Sequence, residues 1–247
     1  MLPDVEETPS AVGREMLAAD GLSSGYGHTV ILNDISVRVG STEIVAIIGR
    51  NGVGKSTLMK TLMGLIPAKS GGIRFADEVI TTLPAHHRAR RGIGYIPQGR
   101  GIFPGLSVEE NLVMGELIHA DGAEKSLEIA FDYFPRLGER RKQRAGTLSG
   151  GEQSMLAIGR VLVGRPRLML LDEPSEGIQP SIVHQIGEDI LRINRELGVP
   201  VLFVEQNIEL IRHVATRGYV MDKGTIVAQL ARDEIRDQDA ITRFLTV

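Results

Sequence analysis

The feature that most constrains the fold is the segment at residues 49–57, which reads GRNGVGKST. It fits the template G-x-x-x-x-G-K-[ST], whose glycines let the backbone wrap a polyphosphate and point several N–H groups at it. An apolar run at residues 43–48 precedes the segment, and a run rich in helix formers at residues 58–63 follows it. This order of strand, loop and helix disfavours the alternative of a chance glycine-rich turn. The segment therefore predicts a nucleoside triphosphate site.

Two side chains of this loop have expected roles. Lys55 should reach the outer phosphates, and the hydroxyl of Ser56 should ligate Mg²⁺. The following helix presents the positive end of its dipole to the same anion. The nucleotide contacts predicted from the loop are Gly49, Asn51, Gly52, Gly54, Lys55, Ser56 and Thr57.

Composition narrows the class of protein. A chain of 247 residues is long enough for one α/β domain, alone or with an inserted subdomain. A net charge of −3 gives no basic field for nucleic acid, and the lack of cysteine excludes disulfides and Cys-based zinc sites. No run approaches the roughly 18 apolar residues of a membrane span, so we expect a soluble protein whose membrane role needs a partner. Residues 1–15 are expected to form a mobile acidic tail.

The remaining chain alternates strand-like and helical segments. A capping box at residues 107–110 predicts a helix that runs to about residue 119, and a second helix is expected at residues 123–134. Further predicted elements are an antiparallel strand at residues 31–39, a solvated basic helix at 85–91, a helix at 180–197, a hairpin at 219–227 and a helix at 233–244.

These elements indicate an α/β fold. We expect a phosphate-loop NTPase core with a mostly parallel sheet, an N-terminal antiparallel β part and an inserted helical subdomain at about residues 99–165. The main domain would cover residues 16–247.

Two carboxylates end the buried strand predicted at residues 168–173. Ligands of open parallel sheets bind at the carboxyl ends of the strands, so Asp172 and Glu173 should face the same crevice as Lys55. Asp172 is the expected partner of Ser56 in holding Mg²⁺, and Glu173 can orient the attacking water. A surface turn is the disfavoured alternative. Gln98, at the end of another predicted strand, offers a neutral contact to metal or water, although alone it is a weak signal.

A second glycine-rich stretch, Leu-Ser-Gly-Gly-Glu-Gln at residues 148–153, opens another helix. By the same physics it is a second candidate anion site, formed by Ser149, Gly150 and Gly151. A single phosphate loop hardly needs a second such site, and residues within one chain do not explain it.

Together, residues 49–57, Gln98, 148–153, 168–173 and Gln206 resemble the ATP-binding cassette of ABC transporters, from about residue 16 onward. The stretch at 148–153 is the specific part of this resemblance. It implies that two cassettes pair head to tail, with each ATP between the phosphate loop of one and the Ser-Gly-Gly helix of the other. It also implies that Glu173 is the catalytic base and that Gln98 joins the metal site and couples the core to the helical insertion. Tyr26, by chemistry alone a surface or packing residue, becomes the adenine-stacking ring.

Two departures from the family pattern stand out. Gln206 occupies the position where the family usually has histidine, and a glutamine can hydrogen-bond a γ-phosphate without carrying its proton. Residues 176–179 read Glu-Gly-Ile-Gln where Ser-Ala-Leu-Asp is usual. Both are familiar in the branch of ATPases from branched-chain amino acid and urea or short-amide importers, which this chain resembles, and the resemblance is closer to the urea-type members.

The resemblance implies an ATPase that uses ATP and Mg²⁺ to energise solute import. Its expected partners are a second cassette subunit, identical or related, integral membrane permease subunits and, indirectly, a solute-binding protein, with no nucleic acid. It would lie in the cytoplasm, peripheral on the inner face of the membrane. The alternatives are a cassette ATPase that acts on nucleic acid or ribosomes and a regulatory ATP binder without turnover.

Overall fold

The computed structural model describes residues 14–118, 127–237 and 241–242. The strands are β1 Glu15–Ser24, β2 Leu32–Gly40, β3 Ile44–Ile48, β4 Ala68–Phe75, β5 Glu78–Val79, β6 Ile93–Ile96, β7 Leu168–Asp172, β8 Val201–Glu205, β9 Arg217–Asp222 and β10 Thr225–Leu230. The α-helices are α1 Lys55–Met63, α2 Ala85–Arg90, α3 Val108–Glu116, α4 Glu128–Tyr133, α5 Pro135–Glu139, α6 Gly150–Val163, α7 Pro180–Leu197, α8 Ile208–Val214 and α9 Arg232–Arg236.

The N-terminal strands form a four-stranded antiparallel sheet in the order β2-β1-β4-β5. In β2 the apolar side chains of Ile35, Val37 and Val39 are buried, while Ser36 between them is exposed. This alternation is the pattern of a strand with one face on the core. Of the tail predicted at residues 1–15, residues 1–13 lie outside the described part of the chain. Glu15, the last residue of the predicted tail, is the first residue of β1.

The second sheet has the order β10-β9-β3-β8-β7-β6, and its first strand alone pairs antiparallel. All residues of β3, β7 and β8 are buried, as expected for parallel strands covered on both faces. Ile44, Ala46 and Ile48 pack in the core that includes α6, α7 and α8, whereas Val45 and Ile47 pack toward α1 and the antiparallel sheet. The predicted α/β class with a mostly parallel sheet and an antiparallel part is confirmed.

Because β3, β7 and β8 run in the same direction, their carboxyl ends lie along one edge of the sheet. The phosphate loop follows β3, Glu173 follows Asp172 at the end of β7, and Gln206 follows β8. This edge is where open parallel sheets bind ligands. The topology thus gathers residues that are far apart in the sequence.

The helices between β6 and β7 pack on α6, with α3 and α4 as its main neighbours. The capping box predicted for α3 is present, because Ser107 Oγ accepts from Glu110 N at 3.2 Å and Ser107 N donates to Glu110 Oε2 at 2.7 Å. The beginning of the helix predicted from residue 123 lies outside the described residues, and α4 covers its later part. The boundaries of the inserted subdomain, residues 99–165, stay a prediction.

The basic segment at residues 85–91 forms a helix as predicted, but one of its basic side chains is buried. It forms α2, but the guanidinium of Arg88 is 2% exposed and donates to the carbonyls of Thr61, Leu62, Thr81 and Leu83 at 2.8–2.9 Å. Burial lowers the pKa of Arg88 to about 10, so the group stays charged at neutral pH. The expectation was wrong for this residue, because a run of charged residues does not reveal which member donates to the carbonyls at the C-terminal end of a neighbouring helix.

The hairpin predicted near the C-terminus is formed by β9 and β10. Its turn residues Lys223 and Gly224 have φ angles of 43° and 80°, as a tight hairpin turn requires. The last predicted helix begins as α9, and residues 238–240 and 243–247 lie outside the described part. Within the described ranges, no helix combines the length and the apolar character needed to cross a membrane.

Candidate nucleotide site

The phosphate loop places a buried lysine at the first position of α1. Gly52 and Gly54 have φ angles of 83° and 110°, which side-chain-bearing residues rarely adopt, and Gly54 is the N-cap of the helix. Lys55 is 3% exposed, and its Nζ lies 2.8 Å from the carbonyl oxygen of Gly49 and 3.0 Å from that of Arg50. The loop thus holds the ammonium group at its centre.

A hydroxyl and a carboxylate meet beside this lysine. Ser56 Oγ donates to Asp172 Oδ1 at 2.9 Å, and Tyr95 Oη donates to Asp172 Oδ2 at 3.3 Å. Burial, reinforced by the charge of Glu173, raises the pKa of Asp172 above its usual range, against the hydrogen bonds from Ser56 and Tyr95. Burial and the nearby Asp172 also raise the pKa of Tyr95, which therefore remains a neutral donor. Oxygen donors of this kind suit Mg²⁺.

Glu173 has a strained backbone. Its φ angle of 50° lies in the left-handed region, where a residue other than glycine costs about 1–3 kcal/mol. The carboxylate is 8% exposed, and Oε1 lies 3.1 Å from Lys55 Nζ. Strain at the end of a strand turns this carboxylate toward the phosphate loop, which is typical of a functional residue.

Lys55, Ser56 and Glu173 line a cavity of about 450 Å³, whereas Asp172 lies beside Ser56 and is not among the residues that line it. The predicted site residues that it brings together are Tyr26, Asn51, Gly52, Gly54, Lys55, Ser56, Thr57, Gln98 and Glu173. Tyr26 is 51% exposed at this cavity. Gly49 packs instead against the carbonyl of Met221, where an added Cβ would lie 2.5 Å from that oxygen. Only glycine fits there.

Gln98 connects the cavity to the neighbouring loops. Its Nε2 lies 3.5 Å from Glu173 Oε2 and 3.1 Å from Glu176 Oε1. Arg100 nearby donates to Ser154 Oγ at 2.9 Å, to Gln153 Oε1 at 3.3 Å and to the carbonyl of Glu176 at 3.2 Å. Sequence reasoning gave Arg100 and Glu176 no role, although a charged residue in the loop beside Gln98 was an available signal. Together they tie α6 to the loop after β7.

Glu205 is a second residue that sequence reasoning missed. Its carboxylate is 1% exposed, and Oε1 accepts from Ser175 N at 3.0 Å and from Ser175 Oγ at 2.5 Å. Oε2 accepts from the backbone N–H groups of Gln206 and Asn207 at 2.8 and 2.9 Å. These hydrogen bonds fix the backbone of Gln206, whereas its side chain is exposed to solvent. Glu205 therefore joins the loops that follow β7 and β8.

The Ser-Gly-Gly stretch begins α6 and is capped by its own chain. Ser149 Oγ donates to Glu152 Oε2 at 2.8 Å, and Glu152 Oε2 also accepts from Ser149 N at 2.9 Å. Burial alone would raise the pKa of Glu152, but these hydrogen bonds and the charges of Arg140 and Arg136 outweigh it and lower that pKa. Ser149 is exposed, and Ser149, Gly150 and Gly151 are not among the described residues that line the phosphate-loop cavity.

Comparison with known proteins identifies the family. Residues 32–176 match the profile of the ABC transporter family. The chain is 47% identical to the high-affinity branched-chain amino acid transport ATP-binding protein BraG of Pseudomonas aeruginosa, over 90% of this chain and 98% of that protein. It is 35% identical to the lipopolysaccharide export system ATP-binding protein LptB of Escherichia coli K12, over 92% and 95% of the two chains. These relatives are transport proteins, which does not support an action on nucleic acid or ribosomes.

Solved structures agree. The fold matches a nucleotide-free ATP-binding cassette from an ABC transporter with a TM-score of 0.81 and 26% identity, over 94% of this chain and all of that one. It matches the ADP conformation of such a cassette with a TM-score of 0.79 and 27% identity, over 92% and 97% of the chains. A phosphate-loop cavity with a strained glutamate beside Lys55 agrees with these likenesses. The chain therefore belongs to the ABC transporter family, as an ATP-binding and ATP-hydrolysing subunit.

Proposed function

We propose that this chain energises the import of branched-chain amino acids, or of urea and short amides, through separate permease subunits in the membrane. The observation that carries the proposal is the 47% identity to BraG over nearly the whole of that protein. The identity to LptB, an export component, is 35%. Among the importer substrates, the relatives favour branched-chain amino acids.

The proposed chemistry follows from the positions of Lys55 and Glu173 relative to each other. Lys55 binds the outer phosphates of ATP, which requires its ammonium to exchange contacts with Glu173, 3.1 Å away, for contacts with the anion. Glu173, once released, orients the attacking water and takes a share of its proton. Gln206 at the end of β8 donates a hydrogen bond to the γ-phosphate without a change of its own charge.

Mg²⁺ is proposed to be held by Ser56, Asp172 and Gln98. The 2.9 Å contact between Ser56 and Asp172 supports this set, because a hydroxyl and a carboxylate oxygen already lie side by side. The ion would supply charge neutralisation at the β- and γ-phosphate oxygens. Burial raises the pKa of Asp172, and a magnesium ion would counteract this effect because its positive charge favours the ionised carboxylate.

A second cassette subunit is proposed to complete the site. Tyr26 is 51% exposed and Ser149 is exposed, so each offers a surface that a partner can cover. In the pair, Tyr26 stacks on adenine, while Ser149, Gly150 and Gly151 of one subunit contact the ATP on the phosphate loop of the other. The partner is a second copy or a related cassette.

The permease is proposed to dock on an apolar surface formed by Leu65, Phe103, Met114 and Ile118. The first three are 55%, 43% and 38% exposed, and all four line a cavity of about 310 Å³ beside α3 and α6. An exposed group of large apolar side chains suits contact with another protein. The loop of Gln98 and Arg100 lies between this surface and Glu173, so ATP-dependent changes can reach the permease. This contact would hold the subunit at the inner face of the membrane.

Uptake measurements test the proposed solute. Cells from which this chain is deleted should lose ATP-dependent uptake of labelled leucine, and the wild-type chain should restore it whereas the Glu173→Gln variant should not. Labelled urea and acetamide measured in the same cells distinguish the two solute classes. Unchanged uptake of all three solutes would overturn the assignment as an importer subunit.

A further inference from the structure

Two histidines and a glutamate meet on the side of the main sheet that carries α7 and α8, and none of them belongs to the nucleotide site. His184 and Glu188 are exposed on α7, and His213 is partly buried on α8. One nitrogen of each imidazole and one carboxylate oxygen lie within 4.8 Å of one another. His184 and His213 have ring centroids 4.6 Å apart, and His213 Nε2 lies 2.7 Å from Glu188 Oε1.

The two helices bring these side chains together for local reasons. His184 and Glu188 are four residues apart in α7 and therefore share a face. Gly187, between them, lets α8 approach closely, since an added Cβ would lie 2.6 Å from Cδ2 of His213. Leu210 and Val214 pack next to the same glycine and fix the direction of α8. The cluster is thus held by packed helices.

The contact between His213 and Glu188 is short but is not aligned as a hydrogen bond. Nε2 of His213 is shielded from solvent and makes no hydrogen bond to any described residue, although a carboxylate oxygen is only 2.7 Å away. For both atoms to bind one ion at the usual distances of about 2.0–2.2 Å, they have to move apart to roughly 3.4 Å, which the exposed side chain of Glu188 allows.

We propose that His184, Glu188 and His213 bind one divalent transition metal ion of the Zn²⁺ type. Two imidazole nitrogens and one carboxylate oxygen form a donor set that zinc uses with a fourth position open to water. Mg²⁺ and Ca²⁺ prefer sites made of oxygen alone, so this site is distinct in chemistry from the one at Ser56 and Asp172. A cavity of about 50 Å³ borders His184 and His213 and leaves room for the fourth ligand. The ion clamps α7 to α8.

Metal titration of the untagged, full-length protein tests the site. The nucleotide-free protein is first stripped with a chelator and then titrated with Zn²⁺ by calorimetry, in excess Mg²⁺ to occupy the oxygen-rich site. Visible absorption of bound Co²⁺ reports nitrogen ligation independently. We expect one ion per chain, and we expect His184→Ala, His213→Ala and Glu188→Gln each to weaken binding more than about 10-fold, the least that loss of a supporting residue costs.

The chain offers a matched control. His86 and His87 form a second histidine pair, with ring centroids 4.3 Å apart. The double variant H86A/H87A removes as many imidazoles as H184A/H213A and should bind Zn²⁺ as the wild type does. Equal affinity of H184A/H213A and the wild type would overturn the proposal, as would a wild type that binds no zinc. Circular dichroism confirms that the single variants, which alter side chains at the surface of α7 and α8, are folded.

Discussion

Two helices of this molecule begin after a glycine-rich stretch, and their first turns are built in opposite ways. Helix α1 starts at Lys55 with Gly54 as its cap, no side-chain hydrogen bond to the cap and no acidic residue in its first turn. Helix α6 starts after Ser149 with a complete capping box and Glu152 in its first turn. The free N–H groups of α1 are available to an anion, whereas those of α6 are partly satisfied by its own chain.

The electrostatics sharpen this contrast. The dipole of α1 and the charge of Lys55 act together at the buried end of the phosphate loop. At α6, the carboxylate of Glu152 partly cancels the dipole, and its lowered pKa keeps it ionised at neutral pH. We infer that α1 recruits the nucleotide and that α6 recognises a nucleotide presented to it by the paired subunit.

The largest expected effect concerns turnover on the α1 side. Glu173→Gln should bind ATP but lower kcat by about 10²- to 10⁴-fold, because an amide cannot accept a proton from water. Steady-state ATPase assays of the assembled transporter measure this, and size-exclusion chromatography with ATP should detect a stable dimer. Glu139→Gln, which alters an exposed carboxylate that does not line the cavity, is the control. An unchanged kcat for Glu173→Gln would refute its role as catalytic base.

Binding on the α1 side is the next test. Lys55→Ala should raise the Kd of the isolated subunit for ATP by about 100-fold, because charge-assisted hydrogen bonds to the phosphates are lost. Fluorescence titration with a labelled nucleotide gives the Kd. Lys142→Ala, at an exposed position, should leave it unchanged. Wild-type affinity in Lys55→Ala would remove the contrast between the two helices.

The α6 side should respond differently. Ser149→Ala should leave the Kd of the isolated subunit for ATP within about 2-fold of the wild type, yet lower the ATPase rate of the assembled transporter by roughly 10-fold. Loss of the cap itself costs about 1 kcal/mol of stability. Ser107→Ala removes the equivalent capping serine of α3 and should reproduce the loss of stability without the loss of rate. Weaker ATP binding by the isolated Ser149→Ala subunit would place Ser149 in its own chain's site.

The smallest expected effect is on stability. Since burial raises the pKa of Asp172 above its unfolded value, its contribution to stability is present at low pH and lost as the pH rises through the folded-state pKa. Asp172→Asn should therefore raise the Tm at neutral pH by roughly 2–4 °C, with the gain shrinking toward acid pH. Thermal melts across the pH range measure this, with the exposed Asp132→Asn as control. A gain in Tm that grows toward acid pH would contradict the raised pKa of Asp172.

Sequence reasoning succeeded where chemistry is local. The phosphate loop, the buried strands before Gly49 and Glu173, and the capping box of α3 depend on neighbours within a few residues. It failed for Arg88 and missed Arg100 and Glu205, because each of them has a partner that is distant in sequence and comes close only when helices and loops meet. The role proposed for Ser149 rests on the family resemblance, since it concerns another subunit.

The buried carboxylate of Glu205 has a consequence for how such chains diversify. It accepts hydrogen bonds from Ser175 on one loop and from the backbone of Gln206 and Asn207 on the other. A substitution at position 205 alone strands several donors away from water, and a substitution at position 175 alone leaves the charge with fewer partners. Positions 175 and 205 are therefore expected to co-vary among relatives, so that the position of Gln206 is inherited with its neighbours and not one residue at a time.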